Sequence, residues 1–220
     1  VTDQDSVPDK WNEGEDDQDI EKVKVQYFDL SLRKWVTQAI VTENGEDKII
    51  ESGHKAEDDP EDVVKVDLKK SKINKVTIKF RYKIRVKNEG NIAGYAKELK
   101  DYIPDGLKFV AEDNPLWKQI DEKTITTDQT KDILLQPGDT TEVEVLLTWI
   151  NDSENFGVMD NWAEISKDHN DFNSPDIDST PDNNKKGEDD IDDAPVSVGV
   201  QTGQLRTFTT IGLAVLVILS

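Results

Sequence analysis

Apolar and polar side chains alternate through the middle of the chain. Val76, Ile78, Phe80, Tyr82, Ile84 and Val86 interleave with Thr77, Lys79, Arg81, Lys83, Arg85 and Lys87. Phe28, Leu30, Leu32 and Val36 share one parity against Asp29, Ser31 and Arg33, and Val143, Val145, Leu147 and Trp149 alternate with Glu142 and Glu144. A period of two puts successive side chains on opposite faces of a strand, so each run predicts a strand with one apolar and one solvated face. Turn residues separate the runs: Asn44-Gly45, Asn88-Glu89-Gly90, Pro104-Asp105-Gly106 and Pro137-Gly138-Asp139. No stretch of helical period competes. The pattern predicts an all-β fold, an antiparallel β-sandwich.

Three polar residues break the inside–outside rule. The inward parity of the first strand is Phe28, Leu30, Leu32, Lys34 and Val36; that of a later one is Leu99, Asp101 and Ile103; a third gives Asn161, Ala163 and Ile165. A lysine, a carboxyl and an amide on separate strands thus face one apolar interior, where unpartnered polar groups are costly. Two arrangements answer that cost. One is a buried Lys34–Asp101 ion pair with Asn161 hydrogen-bonded beside it, a motif that often adds little net stability. The other is an amide cross-link from Lys34 to Asn161. Burial lowers the pKa of the amine and raises that of the acid, which yields a nucleophile and a proton carrier together.

Charge changes the picture at the two ends. Of 220 residues, 47 are acidic and 27 basic, giving a net charge of −20, which argues against nucleic acid as a partner. The acid is concentrated in residues 1–19 and 174–193, each with eight Asp or Glu. These stretches are copies. Asp5-Ser6-Val7-Pro8-Asp9 returns as Asp178-Ser179-Thr180-Pro181-Asp182, and Gly14-Glu15-Asp16-Asp17 returns as Gly187-Glu188-Asp189-Asp190, both 173 positions later. A gapless register indicates one period of a repeat array, with the first segment the tail of a preceding unit. The expected organisation is an acidic linker over 1–21, a sandwich over 22–173, a second acidic linker over 174–206, and the start of an apolar membrane-spanning segment over 207–220. The last contains no charged residue.

Asp3, Asp5, Asp9 and their copies Asp176, Asp178, Asp182 place carboxylates at short intervals around a Ser and a Pro. Ca²⁺ takes six to eight oxygens, and this spacing suits it. A solvated, self-repelling spacer explains the same residues. No cofactor is required by anything else. Cysteine is absent, which excludes disulfides and thiolate chemistry. His54 and His169 stand alone in polar stretches and mark no catalytic pattern. Trp149 takes the inward parity, whereas Trp35 and Trp162 take the outward one; with Trp11 and Trp117 they are candidates for a stacking platform.

The segments Phe28-Asp29-Leu30-Ser31-Leu32-Arg33-Lys34-Trp35, Lys83-Ile84-Arg85-Val86-Lys87-Asn88-Glu89-Gly90, Asp101-Tyr102-Ile103-Pro104-Asp105-Gly106-Leu107-Lys108-Phe109-Val110 and Asn161-Trp162-Ala163-Glu164-Ile165 follow in order over residues 22–182. Together they resemble repeat domains of Gram-positive cell-surface proteins, similar to the stalk modules of pilins and collagen-adhesin-type proteins. The resemblance implies an immunoglobulin-like sandwich and a Lys–Asn isopeptide bond assisted by an acid. By position these are Lys34, Asn161 and Asp101. It implies an extracellular stalk module anchored to the envelope, with neighbouring repeats as partners and a tie between the first and last strands. No Leu-Pro-x-Thr-Gly sorting signal is present. An adhesin that binds a host protein or glycan is the alternative. Catalysis on an external substrate is not expected.

Overall fold

The computed structural model describes residue 4 and residues 20–201, apart from 59, 61 and 153. The strands are β1 (Leu30–Glu43), β2 (Glu46–Glu51), β3 (Val64–Leu68), β4 (Val76–Asn88), β5 (Tyr95–Tyr102), β6 (Leu107–Phe109), β7 (Lys118–Gln119), β8 (Thr124–Thr127), β9 (Thr140–Trp149), β10 (Gly157–His169) and β11 (Ile191–Val200). They form two sheets, ordered β2-β1-β4-β9-β6 and β3-β11-β10-β5-β8-β7. The packed faces make a β-sandwich, as the alternating pattern leads one to expect, of the immunoglobulin-like kind that the resemblance implies.

In β4 the alternation is carried through its length: Val76, Ile78, Phe80, Tyr82, Ile84 and Val86 are buried, and the residues between them line the outer face. There Lys83 and Arg85 pair with Glu142, and Arg81 with Glu144, across to β9. Such exposed pairs fix register and solubility more than stability. The turns form where Asn and Gly allow them. Asn44 and Gly45 both hold positive φ, 54° and 83°, in the two-residue β1–β2 hairpin. Asn88 ends β4 and closes the next loop, its amide donating to the carbonyls of Ile92 and Leu135.

Two expectations are corrected. The sheets are not antiparallel throughout, because β3 runs parallel to β11. The stretch 174–206 is not a linker up to its end: 174–190 lies along the domain and β11 is one of its core strands. Ala194, Val196 and Val198 are all fully buried and alternate with Asp193, Pro195 and Ser197. The charge of the preceding residues masks that period in the sequence. The acidic segment itself covers an edge of β1. Leu30 N–H donates to Asp176, Leu32 N–H to the Asp189 carbonyl, and Lys34 N–H to Asp192. These amides would otherwise be an open edge. Apart from residues 4, 20 and 21, the expected linker 1–21 lies outside the described residues, as does the apolar segment 207–220. Among the described residues no helix is long and apolar enough to cross a membrane.

Candidate functional site

The inward parity of three strands brings Lys34, Asp101 and Asn161 to one point between the sheets. Lys34 comes from β1, opposite Ile84 of β4. Asp101 on β5 pairs with Ala163 of β10, so Asn161 on β10 is its same-face diagonal neighbour. Sheet one therefore supplies the amine, and sheet two supplies the acid and the amide. Lys34 is 2% exposed and the other two are fully buried.

The three side chains form a closed set of contacts. Lys34 Nζ donates to Asp101 Oδ2 and to Asn161 Oδ1, each at 2.6 Å. Asn161 Nδ2 donates to Asp101 Oδ1 at 3.1 Å, with Oδ2 at 3.4 Å. The ring of Tyr82 lies under the amine, 5.0 Å from Nζ to its centroid. Burial drives the Lys34 amine below its ordinary pKa, with the Asp101 charge opposing the shift. The same burial drives the Asp101 carboxyl above its ordinary range, with Lys34 opposing. Desolvation leads in both cases, so the neutral amine and the neutral acid are favoured over separated charges in this interior. One proton moving from Nζ to Oδ2 produces that pair without net change of charge.

A second cluster lies at the start of β1. Asp29, Asp176, Asp178 and Asp189 each present a carboxylate oxygen, all within 4.8 Å of one another. The chain assembles them through backbone contacts: Phe28 bridges to Asp176, and Ile177 N–H donates to the Phe28 carbonyl. Asp29 Oδ1 and Asp189 Oδ1 are buried without a hydrogen-bond partner, as are Ser179 Oγ and both oxygens of Asp190, the residue after Asp189. Native interiors leave few such atoms. Burial and mutual repulsion push Asp29 up to about 6 and Asp189 up to about 7, and burial with Glu188 and Glu164 nearby pushes Asp190 up to about 7. The cluster is compatible with a divalent cation, whose ligands are hard oxygens.

Sequence reasoning found the triad from strand parity and two of the four clustered acids, Asp176 and Asp178. It missed Asp29 and Asp189, which meet them only through folding of 174–190 onto β1. Asp182 is corrected: it pairs with Lys100 rather than joining the cluster, because the turn at 182–184, where Asp182 holds φ at 63°, carries it towards β5. Asp3, Asp5 and Asp9 lie outside the described residues. Among the described residues β10 is the penultimate strand, so the triad joins first to penultimate rather than first to last. The tryptophans form no exposed platform among the described residues. Trp117 and Trp149 are buried, Trp35 lies under Arg85, and Lys186 sits 3.8 Å over the Trp162 ring.

A third acid pair is set apart from both. Asp193 lies beside Asp160, and burial followed by that neighbour pushes its carboxyl up to about 7. A carboxyl with a folded pKa above its unfolded value of about 4 binds its proton more tightly in the folded chain. Its contribution is present at low pH and is lost as pH rises towards the folded value. In chelator, the unfolding midpoint is expected to fall between about pH 4 and pH 7 and to level off above that. Asp193→Asn is expected to make that fall shallower, and an unchanged slope would refute the assignment.

No family model matches the chain, and no curated protein matches it. Among solved structures, the CARDB domain of the PF1109 protein from Pyrococcus furiosus, solved in complex with di-metal ions, is similar at 13% identity and a TM-score of 0.34. The match covers 81% of this chain and 100% of that one. At this level of likeness the metal ions of that domain say nothing about this chain.

Proposed function

We propose that the chain is a structural spacer module of an extracellular stalk, closed by an amide bond between Lys34 and Asn161. The observation that carries this is the closed triad, three polar side chains without solvent, each in contact with the other two. Asp101 takes a proton from the Lys34 ammonium through Oδ2, leaving a neutral amine. The Nζ lone pair attacks Asn161 Cγ, and a C–N bond forms as the carbonyl opens. Asp101 returns a proton to Nδ2, which departs as ammonia when the carbonyl re-forms. Nζ gives its second proton to Asp101 Oδ2, which ends as the neutral acid, and keeps one hydrogen as the new amide N–H, so atoms and charge balance. The reaction happens once per chain and consumes no external substrate. Without cysteines, such a bond takes the place of a disulfide staple.

The acidic cluster is read as a Ca²⁺ site built from Asp29, Asp176, Asp178 and Asp189. It ties the acidic segment to the start of β1. Neighbouring repeats of the same protein are the partners, on the envelope of a Gram-positive bacterium. Intact mass of the chain is the test: the spacer reading expects a deficit of one ammonia, and a full theoretical mass would overturn it.

A second reading, an adhesin module for a host protein or glycan, draws on one feature. A groove of about 510 Å³ lies over β4 and β9, with Leu116 and Trp117 on one wall and Arg81, Lys83, Glu142 and Glu144 on its floor. Binding to immobilised host matrix proteins that is lost in Leu116→Asp would favour it.

A further inference from the structure

Val23 and Val25 are 83% and 71% exposed, although they alternate with Lys22 and Lys24 in strand-like fashion. A strand pattern with nothing to pack on calls for an explanation. The repeat supplies one. Carried forward by the same 173 positions, Val23 and Val25 fall on Val196 and Val198 of β11, which are both fully buried. In β11 those valines sit between two strands: Val196 pairs with Met159 of β10 and Val64 of β3, and Val198 with Gly157 and Val66.

We propose that residues 22–27 are the closing strand of another copy of this fold, and that their docking place is the slot between that copy's β3 and β10. The rest of the segment supports the assignment. Asp3, Asp5 and Asp16 fall on Asp176, Asp178 and Asp189, three of the four clustered acids, and Asp19 falls on Asp192, which accepts the Lys34 N–H. The fourth clustered acid, Asp29, precedes β1 and so comes from the opening of each unit. A unit thus runs from a Phe28 position to a Val200 position, and the Tyr27 equivalent ends one unit where Phe28 begins the next. Consecutive sandwiches are joined strand to strand, without a spacer. The correspondence lapses at Gln18, Ile20 and Glu21, which fall on the buried Ile191, on Asp193 and on the fully buried Ala194, so the strand is assigned only from Lys22 onwards. This deepens the spacer reading, which supplies the second copy.

The test places a copy of residues 28–173 directly ahead of residue 1 of the full chain, so that residues 1–27 follow it in the register that 174–200 occupy. Hydrogen exchange and limited proteolysis are read on this fusion, on its Glu21→Ala form, and on a reference whose leading copy carries its own 174–200. The expected result is slow exchange at Val23 and Val25, fast in the parent chain, and a leading copy as protease-resistant as the reference. Digestion of the leading copy in both the Glu21 and Glu21→Ala forms, with 28–200 intact, would overturn the proposal. The spacer reading is scored separately, by the ammonia deficit of the 28–200 unit.

Discussion

Lys34→Ala is expected to restore the full theoretical mass and to lower unfolding stability by about 5 kcal/mol on the chain-entropy model for a cross-link. The size follows from the span closed by the bond, since Lys34 and Asn161 are 127 positions apart. A tie across so long a loop removes much of the freedom of the unfolded chain. Loss of a buried ion pair alone costs a similar amount, about 3–5 kcal/mol, so stability by itself does not separate the two cases. Asn161→Ala does. It leaves the Lys34–Asp101 pair intact, and it is expected to restore the mass and the faster unfolding together. Asp101→Asn keeps a similar shape but removes the proton carrier, and is expected to give a full-mass chain that still folds. A full mass in the parent, or a deficit that persists in Asn161→Ala, would sink the mechanism.

Addition of Ca²⁺ to chelated protein is expected to raise the unfolding midpoint, by roughly 5–10 °C at a hundredfold excess over Kd. That excess corresponds to about 2.7 kcal/mol for a ligand binding only the folded chain. Four carboxylates within 4.8 Å of one another repel, by about 4 kcal/mol per pair at an effective dielectric constant near 20. A divalent cation replaces that repulsion with ligation. Asp29→Asn and Asp189→Asn are each expected to reduce the calcium response while raising the midpoint in chelator, because each removes a repelling charge. Asp182→Asn serves as the control, since Asp182 pairs with Lys100 and its loss should leave the response unchanged. Identical midpoints with and without millimolar Ca²⁺ would remove the site.

The strands that build the core were legible where they bury one face only, as β4 does along its length. In β4 every second residue is apolar from Val76 to Val86, and the same parity that marks the core also exposed Lys34, Asp101 and Asn161 as exceptions. Burial chemistry offered them two arrangements, an ion pair or a cross-link, and the resemblance to surface-protein repeats implied the cross-link. What stayed hidden was long-range. Asp29 and Asp189 are 160 positions apart in sequence, and nothing local says that 174–190 folds back along β1. β11 was hidden for another reason: Ala194, Val196 and Val198 alternate over a short span directly after an acidic run that reads as solvated chain. Trp35 shows a further limit. It takes the outward parity as expected, yet is only 5% exposed because Arg85 covers it. Parity gives the face of a sheet, and a long side chain opposite decides whether that face is wet.

Placement of Asn161 on the penultimate strand leaves a measurable length of chain outside the proposed bond. Tension entering at Phe28 would pass from Lys34 to Asn161 and skip everything between, so residues 35–160 could not extend. Residues 162–200 could, to a contour of roughly 130 Å. That tail includes Asp176, Asp178 and Asp189, while Asp29 stands on the other side of Lys34. The acidic cluster therefore bridges the longer of the two stretches that the amide bond leaves free to unreel. Stretching a single molecule would then show a short extension whose threshold rises with calcium, making the module a shock absorber of adjustable stiffness rather than an inextensible rod.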